Sequence, residues 1–118
     1  MIDEASPLDV AWLAGLLEGE AAFDLHRQRY PRVRLAMTDR DTVEHAARLM
    51  GASVRCSLNA APASATWHAE ISGPKAEQVM RAILPHMHAR RSQRIASVLG
   101  HAPATDKSAP KVACTPAP

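Results

Sequence analysis

The sequence predicts an α+β domain in which helices cover one face of a four-stranded antiparallel sheet. Three observations predict this class. An apolar helical segment comes first, two later segments alternate apolar and polar residues with a period of two, and a helical pattern follows each of them. The predicted element order is αββαββα(α), within a single domain spanning residues 1–100. Residues 101–118 are rich in Pro and Ala and poor in bulky apolar residues, so they are predicted to form a disordered tail.

The first helix has well-defined signals at its start. Ser6 is suited to the N-cap, Pro7 to the first helical position and Asp9 to the capping-box position, so the helix is predicted to run from Pro7 to Glu20. Its residues are apolar on every side of the axis. A helix of this kind needs packing partners on more than one side.

Two glycines and two acids mark the C-terminal half of this helix. Gly15 and Gly19 share one face, where bare backbone lets a second helix approach closely. Glu18 and Glu20 are about 200° apart around the axis, so they cannot face the same neighbour. One acid can therefore be structural or capping while the other points beyond the helix end. The helix dipole disfavours an acid there, which indicates that Glu20 has a purpose other than helix stability.

A hairpin is predicted after this helix. Phe23 and Leu25 alternate with polar residues, and Tyr30 and Pro31 are predicted to form the turn. Residues 32–37 then alternate arginine or alanine with apolar residues. The hairpin therefore has one apolar face and one polar, arginine-rich face.

The second half of the chain repeats this arrangement. Asp39 or Asp41 is predicted to be the N-cap of a second helix that Gly51 stops. Strands around residues 53–59 and 66–71 form a second hairpin. A third helix begins at residues 73–74 and ends at residue 85, and a last helix over about residues 88–99 carries three arginines and closes at residue 100.

The two faces of the predicted sheet differ in character. The helices are expected to cover the apolar face, made of Phe23, Leu25, Val33, Leu35, Val54, Leu58, Trp67 and Ile71. The opposite face is polar and bare, made of Asp24, His26, Gln28, Arg32, Arg34, Arg55, Ser57, Asn59, Thr66, His68 and Glu70. Antiparallel sheets often leave one face to water, and a solvated face is one interpretation.

Reading of double-stranded DNA is the other interpretation. The polar face offers Arg for guanine, Gln and Asn for adenine, and Asp and Glu for cytosine. Its lack of aromatic side chains argues against single-stranded nucleic acid or RNA, whose recognition relies on stacking.

Charge is segregated along the chain, although the net charge is only +2. Residues 1–25 hold six acids and no Lys or Arg, whereas residues 80–100 hold four arginines and no acid. Eleven of the 14 basic residues are arginines, whose guanidinium suits phosphate and guanine edges. A GC-rich genome would also favour arginine codons.

Composition also bears on location and assembly. The longest apolar run, over residues 10–17, is too short to span a bilayer, and we expect neither a membrane span nor a signal peptide. Cys56 and Cys114 are predicted to be free thiols in a reducing cytosol, in a protein encoded by a prokaryote or phage. Aromatic residues are only 3% of the chain, so a small core and oligomerisation are expected.

Residues Leu13 to Ala21 read LAGLLEGEA, which resembles the LAGLIDADG motif of homing endonucleases and their DNA-binding relatives. Seven of nine positions match identically or by Ile/Leu or Asp/Glu exchange, and Gly19 is a common variant of the small seventh residue. Phe23 follows as it usually does in the family. The departure is Ala21 in place of Gly, which removes a residue free to adopt positive φ at the helix end. The predicted element order is the one that the resemblance implies, and the resemblance also implies that the sheet is saddle-shaped.

The resemblance further implies a homodimer, because only one motif is present and the family packs two such helices about a twofold axis. It implies a helix seam made of Trp12, Gly15, Leu16 and Gly19. Glu20 matches the metal-binding acid, which would hold Mg²⁺ for phosphodiester hydrolysis. Asp39 matches a polar residue near the attacking water, and Arg90 a basic residue near the scissile phosphate.

Each of these three residues also has a simpler interpretation. Glu20 can be a helix-terminal acid bonded to nearby amides, Asp39 a plain N-cap and Arg90 one of several arginines on a basic helix.

The predicted function is a metal-dependent, site-specific double-stranded DNA endonuclease acting as a homodimer on a palindromic site. The alternative is a DNA-binding regulator that never cuts, favoured by short strands and by Ala21. A third possibility is a dimerisation module alone.

Overall fold

The computed structural model describes residues 1–58 and 65–101, with side chains described up to residue 100. The predicted contact Asn59, Cys114 and the predicted tail beyond His101 lie outside these residues. The helices are α1 (Pro7–Glu20), α2 (Arg40–Met50), α3 (Pro74–Ile83) and α4 (Ala89–His101), and the strands are β1 (Ala21–His26), β2 (Tyr30–Met37), β3 (Val54–Leu58) and β4 (Ala65–Ser72). Short 3₁₀ turns occupy Ile2–Glu4 and Leu84–His86. The predicted element order is confirmed, and α4 continues one residue past its predicted stop.

The four strands form one antiparallel sheet in the order β1-β2-β4-β3. The two hairpins therefore meet along β2 and β4, where Val33 pairs with Ile71, and β1 and β3 are the edges. Apolar residues pair with apolar ones across each ladder, as Phe23 does with Val33 and Val54 with Ala69. Because side chains alternate between faces, one face collects the apolar residues and the other collects the polar ones.

The helices bury the apolar face of the sheet. Leu13 and Leu17 of α1 are fully buried, and Phe23 is the only aromatic residue in the described core. Helix α2 buries the predicted stripe of Val43, Ala46, Ala47 and Met50. The predicted stop is also confirmed, because Gly51 adopts the left-handed conformation with φ 75°. No helix within the described ranges has the length and apolar character needed to cross a membrane.

The prediction that helices cover Leu58 is wrong, because its side chain is 78% exposed. Leu58 pairs with Ala65 at the far end of the second hairpin, while Val54, on the same face, packs against the core. The strand pair thus extends past the helices, and alternation identifies only the face of a residue. Cys56 is likewise an exposed free thiol.

The predicted turn at Tyr30 and Pro31 is also wrong, because both residues belong to β2. The turn lies at residues 27–29, where the Arg29 amide donates to the His26 carbonyl at 3.0 Å. Arg27 and Gln28 have positive φ of 56° and 62°, as in a type I′ turn. Gln28 therefore lies at the hairpin tip and not on the sheet face. Proline is compatible with the start of a strand, which is why this turn signal misled.

Candidate nucleic-acid interface

The face of the sheet opposite the helices carries nine of the eleven predicted contact residues. Strand pairings place them together, since Asp24 pairs with Arg32, Arg34 with Glu70, and Arg55 with His68. The nine are Asp24, His26, Arg32, Arg34, Arg55, Ser57, Thr66, His68 and Glu70. The strands have 5 to 8 residues, so the strands are short, as predicted.

An ion-pair cluster around Asp24 occupies one half of this face. Asp24 Oδ1 accepts from Arg32 Nε at 2.8 Å, and Oδ2 accepts from Arg32 Nη2 at 3.1 Å. The same Oδ2 accepts from Arg34 Nη2 at 2.7 Å. The hydrogen bond from Arg32, assisted by both positive charges, holds the pKa of Asp24 below its usual value. The carboxylate therefore stays ionised and holds two arginines at once.

Arg32 and Arg34 differ in how tightly they are held. Arg32 Nη1 also lies 3.3 Å from His26 Nδ1 and 3.9 Å from Glu70 Oε2, and its side chain is only 22% exposed. Arg34 has the single contact with Asp24 and is 49% exposed. Arg32 is therefore fixed in place, whereas Arg34 is tethered at one point.

The other half of the face contains a serine–histidine contact and an exposed arginine. Ser57 Oγ and His68 Nε2 are 2.9 Å apart. Arg55 is exposed and makes no hydrogen bond or ion pair with any described residue. Arg55 is therefore available to an external anion.

Glu20 lies at the margin of this polar face. It ends α1, is exposed, and has no hydrogen bond or ion pair to the described residues. It lines a shallow depression together with Arg34, Arg55, His68 and Glu70. Two arginines and two glutamates balance the formal charge of this depression, and the Glu20 carboxylate, without a partner among the described residues, is suited to binding a cation that is shared with a phosphate.

Glu18 has the structural role that the sequence left open between the two acids. Its Oε2 lies 2.8 Å from His88 Nδ1, and its Oε1 accepts from the His88 amide at 3.4 Å. These bonds join the end of α1 to the start of α4. The two acids thus divide as expected, with Glu18 holding the fold and Glu20 left free.

Arg91 completes this junction from α4. Its Nε donates to the Glu18 carbonyl at 2.8 Å, and its Nη2 donates to the Ala21 carbonyl, so the two bonds flank Glu20. The guanidinium also lies 5.2 Å from the centre of the Phe23 ring. Burial is the main cause that lowers the pKa of Arg91. A cation at a helix C-terminus offsets the dipole and satisfies a carbonyl left over there.

The Ala21 departure from the motif imposes no backbone strain. Ala21 has φ −94° and ψ 159°, so α1 passes directly into β1 without a left-handed residue. Arg91 provides the capping that a glycine-type turn would otherwise give. Arg94 extends the same contact by donating to the Phe23 carbonyl at 2.8 Å, which covers the open edge of β1.

We predict that Arg91→Ala lowers the free energy of unfolding by about 2 kcal/mol, because two backbone carbonyls lose a charged donor. Arg91→Lys should recover part of the loss, since an ammonium reaches one carbonyl but does not bridge both. Urea unfolding followed by circular dichroism measures the effect. Arg90→Ala is the control, because Arg90 is exposed and makes no such bond, so its change should stay within about 0.5 kcal/mol. Equal losses in both variants would contradict the capping role.

The structure brings two of the three predicted catalytic residues toward one place. Arg90 lines a depression with Asp24, Arg34 and Arg94, and this depression shares its Ala21, Ala22 and Arg34 walls with that of Glu20. Asp39 lines neither depression. It is the N-cap residue of α2, although its side chain makes no capping hydrogen bond.

A divalent metal fits Glu20 in donor type but not in donor number. Among residues 1–58 and 65–101, no group of three or more His, Cys, Asp or Glu side chains is placed to hold a metal. Glu20 offers the carboxylate oxygen that Mg²⁺ prefers, and Mg²⁺ usually takes few protein ligands with phosphate and water as the others. The described residues of one chain therefore do not form a three-ligand site, and phosphate and water oxygens would have to complete the coordination of a metal at Glu20.

Helix α1 leaves an apolar stripe uncovered. Leu8 is 82% exposed and Trp12 is 37% exposed, with its ring stacked on His45 at 4.0 Å between centroids. Gly15 and Gly19 are exposed on the same side, and a Cβ added to either would meet nothing within 4 Å. The predicted seam residue Leu16 is half-buried against the core. The predicted helix face is thus bare in a single chain.

The sequence interpretation missed two functional candidates at the hairpin tip. Arg27 and Arg29 are exposed, and Arg29 lies 5.6 Å from the centre of the Tyr30 ring. A correct placement of the turn would have found them, since basic residues on both sides of Gln28 then stand at the end of the polar face. Arg91 had no such signal, because its partners are remote in sequence.

No family model and no curated protein matches the chain. Solved structures of the homing endonuclease I-CvuI are similar to it. One, in complex with its target and 2 mM Ca, is 14% identical with a TM-score of 0.54, covering 78% of this chain and 68% of that one. Another, with the I-CreI target and 2 mM Mg, in which the DNA is not cleaved, is 16% identical with a TM-score of 0.58, covering 78% and 64%. The match thus spans about two thirds of those chains. This protein has the homing endonuclease fold, which supports the LAGLIDADG resemblance.

Proposed function

We propose that this protein is a site-specific, double-stranded DNA endonuclease that acts as a homodimer on a palindromic site. The observation that carries the proposal is the position of Glu20, which is exposed at the margin of the polar sheet face and has no hydrogen bond or ion pair to the residues that the structure describes. The homing endonuclease fold supports the proposal, because Glu20 ends the LAGLIDADG-like segment of α1 beside the open sheet face.

The sheet face is proposed to enter the major groove, which admits a β-ribbon. An eight-residue strand such as β2 extends about 26 Å at roughly 3.3 Å per residue, so each chain reads a short half-site. Arg55 and the tip residues Arg27 and Arg29 have no acidic partner among the described residues. These three cations are suited to phosphate contacts, which position a protein on the duplex.

Two chains are needed for the proposed reaction. Each chain supplies one motif acid, and double-strand cleavage requires attack on two phosphates. The bare stripe of α1 is the surface proposed to join the copies, with Gly15 and Gly19 allowing the helices to approach closely. A twofold dimer of this kind matches a palindromic site.

Glu20 from each copy is proposed to hold Mg²⁺ together with phosphate oxygens of the DNA. The metal, when bound, lowers the pKa of water and neutralises charge on the leaving oxygen. Arg90 is proposed to stabilise negative charge at the phosphate from the adjoining depression. Asp39 lines neither depression, so we propose no catalytic role for it. Its proposed role is that of the N-cap residue of α2.

Selection of bound duplexes from a random pool, followed by incubation with Mg²⁺, tests the proposal. We expect enriched palindromic sequences, binding that persists in EDTA, and cutting at the centre of the site. The logarithm of affinity should fall with the logarithm of salt by roughly 0.9 per phosphate contact. Absence of binding to any duplex at low salt would refute the DNA-binding interpretation as a whole.

A DNA-binding regulator on the same scaffold is the second candidate. The short strands and the Ala21 departure from the motif favour it. Such a protein would give the same selected sites and the same salt dependence, but the DNA would stay intact across Mg²⁺ and Mn²⁺ concentrations. The cleavage arm of the selection therefore separates the two functions.

A further inference from the structure

We propose that Asp24 determines sequence specificity, because it orients Arg32 as a preset reader of guanine and restrains Arg34. The inference rests on the proposed DNA-binding function and adds a residue-level assignment to it. It explains why an acid, Asp24, lies on the surface that is proposed to contact DNA. A carboxylate on such a surface repels phosphate and weakens binding to every sequence.

The geometry of the Arg32 guanidinium carries the argument. Asp24 engages Nε and Nη2, which form one edge of the planar fork. His26 lies against Nη1, so the plane is supported from a second side. The end of the fork still has hydrogens on both Nη atoms. That pair of donors matches the O6 and N7 acceptors of guanine in the major groove.

Fixing the fork in advance favours discrimination among bases. An unrestrained arginine can turn to the nearest phosphate, which is present beside every base pair. Arg32 is held on two atoms by Asp24 and is mostly covered, so its end-on edge keeps one direction. The restraint therefore weakens binding to the phosphates of any sequence and strengthens the preference for guanine at one base pair.

Arg34 shares the same carboxylate but is held differently. It has one bond to Asp24 Oδ2 and is about half exposed, and it lines the depressions of both Glu20 and Arg90. Loss of Asp24 would free both arginines for phosphate at the same time. The low pKa of Asp24 keeps the carboxylate ionised at every pH at which duplex binding is measured.

The test compares Asp24→Asn with Glu70→Gln by fluorescence anisotropy. Each variant is measured on the selected duplex, on random duplex, and on the selected duplex in which the guanine that Arg32 is proposed to contact has been replaced. Both variants remove one negative charge from the same face, but Glu70 makes no hydrogen bond to Arg32 and lies 3.9 Å away. We expect Asp24→Asn to tighten random binding and to reduce the preference for guanine by roughly 10- to 100-fold. Glu70→Gln changes a predicted contact residue, so it can alter binding at its own base pair, but it should keep the preference for the guanine that Arg32 is proposed to contact.

Arg32→Lys provides a second variant that keeps the charge of the face. It should lose the preference for guanine while retaining binding to random duplex, because lysine cannot form the fork. Equal changes in Asp24→Asn and Glu70→Gln, or an intact preference in Arg32→Lys, would overturn the assignment. Failure of the unaltered protein to bind any duplex would instead refute the proposed function itself, so the two failures are distinguishable.

Discussion

Glu20→Gln is expected to abolish Mg²⁺-dependent cleavage while leaving binding to the duplex intact or slightly tighter. A neutral amide removes the anionic oxygen that would hold the metal, and metal stabilisation contributes several kcal/mol, so the rate should fall by about 10³-fold or more. The fold should be unaffected, because Glu20 makes no hydrogen bond or ion pair to the described residues. Nicking of supercoiled DNA and anisotropy in Ca²⁺ and in EDTA measure the two parts separately.

Glu18→Gln is the matched control, since it removes the same charge from the same turn of α1. Its carboxylate accepts from the ring and the amide of His88, so the variant should lower the melting temperature. It should not change the Mg²⁺ concentration needed for cleavage. Equal activity of Glu20→Gln and the unaltered protein would reject Glu20 as the metal ligand. Inactivity of both Glu20→Gln and the unaltered protein at all Mg²⁺ and Mn²⁺ concentrations would favour the DNA-binding regulator over the endonuclease.

The double change Gly15→Ala and Gly19→Ala is expected to act in opposite directions on the monomer and the dimer. Alanine is favoured over glycine inside a helix by roughly 1 kcal/mol, and the added methyl groups meet nothing within a single chain, so the monomer should become more stable. Across a close helix seam the same methyl groups would hold the copies apart. Affinity for the palindromic duplex should then fall by roughly 10²-fold or more, because the second half-site is no longer tethered.

Gly100→Ala serves as the control for helix propensity alone. Gly100 lies in α4, and a Cβ there also meets nothing within 4 Å, so the variant should leave dimerisation unchanged. Light scattering coupled to gel filtration reports the mass, and titration with half-site and full-site duplexes reports tethering. A double-alanine protein that remains a dimer would show that the stripe on α1 is not the seam.

Much of this molecule followed from local pattern. The period of apolar residues gave the order of helices and strands, and the cap residues Ser6 and Gly51 gave two helix ends where they were predicted. Alternation assigned nine polar residues to the open face. The angular separation of Glu18 and Glu20 predicted that the two acids face different neighbours, and the structure showed that Glu18 is the one that contacts His88. These features depend on neighbours along the chain, which the sequence displays directly.

Other features depended on where the elements met. The turn at residues 27–29 sets the register that pairs Asp24 with Arg32, and a turn at Tyr30 and Pro31 would have placed other residues opposite. The exposure of Leu58 depends on how far the helices reach over the sheet, which alternation does not encode. The exposure of Leu58 follows from packing distances. The turn is local, but its two positive-φ residues are Arg27 and Gln28, and no glycine or asparagine marks them in the sequence.

The sequence by itself determined the composition of the sheet face and the acid at its margin, since periodicity places side chains on faces regardless of tertiary contacts. Only the tertiary structure decided which of those side chains are free. Arg91 donates a hydrogen bond to the Glu18 carbonyl, 73 residues away along the chain. Asp24 accepts hydrogen bonds from Arg32 and Arg34, which the sequence predicted to contact DNA. The physical reason is that a hydrogen bond is decided by distance and direction in space, and the chain sets these only when its elements pack.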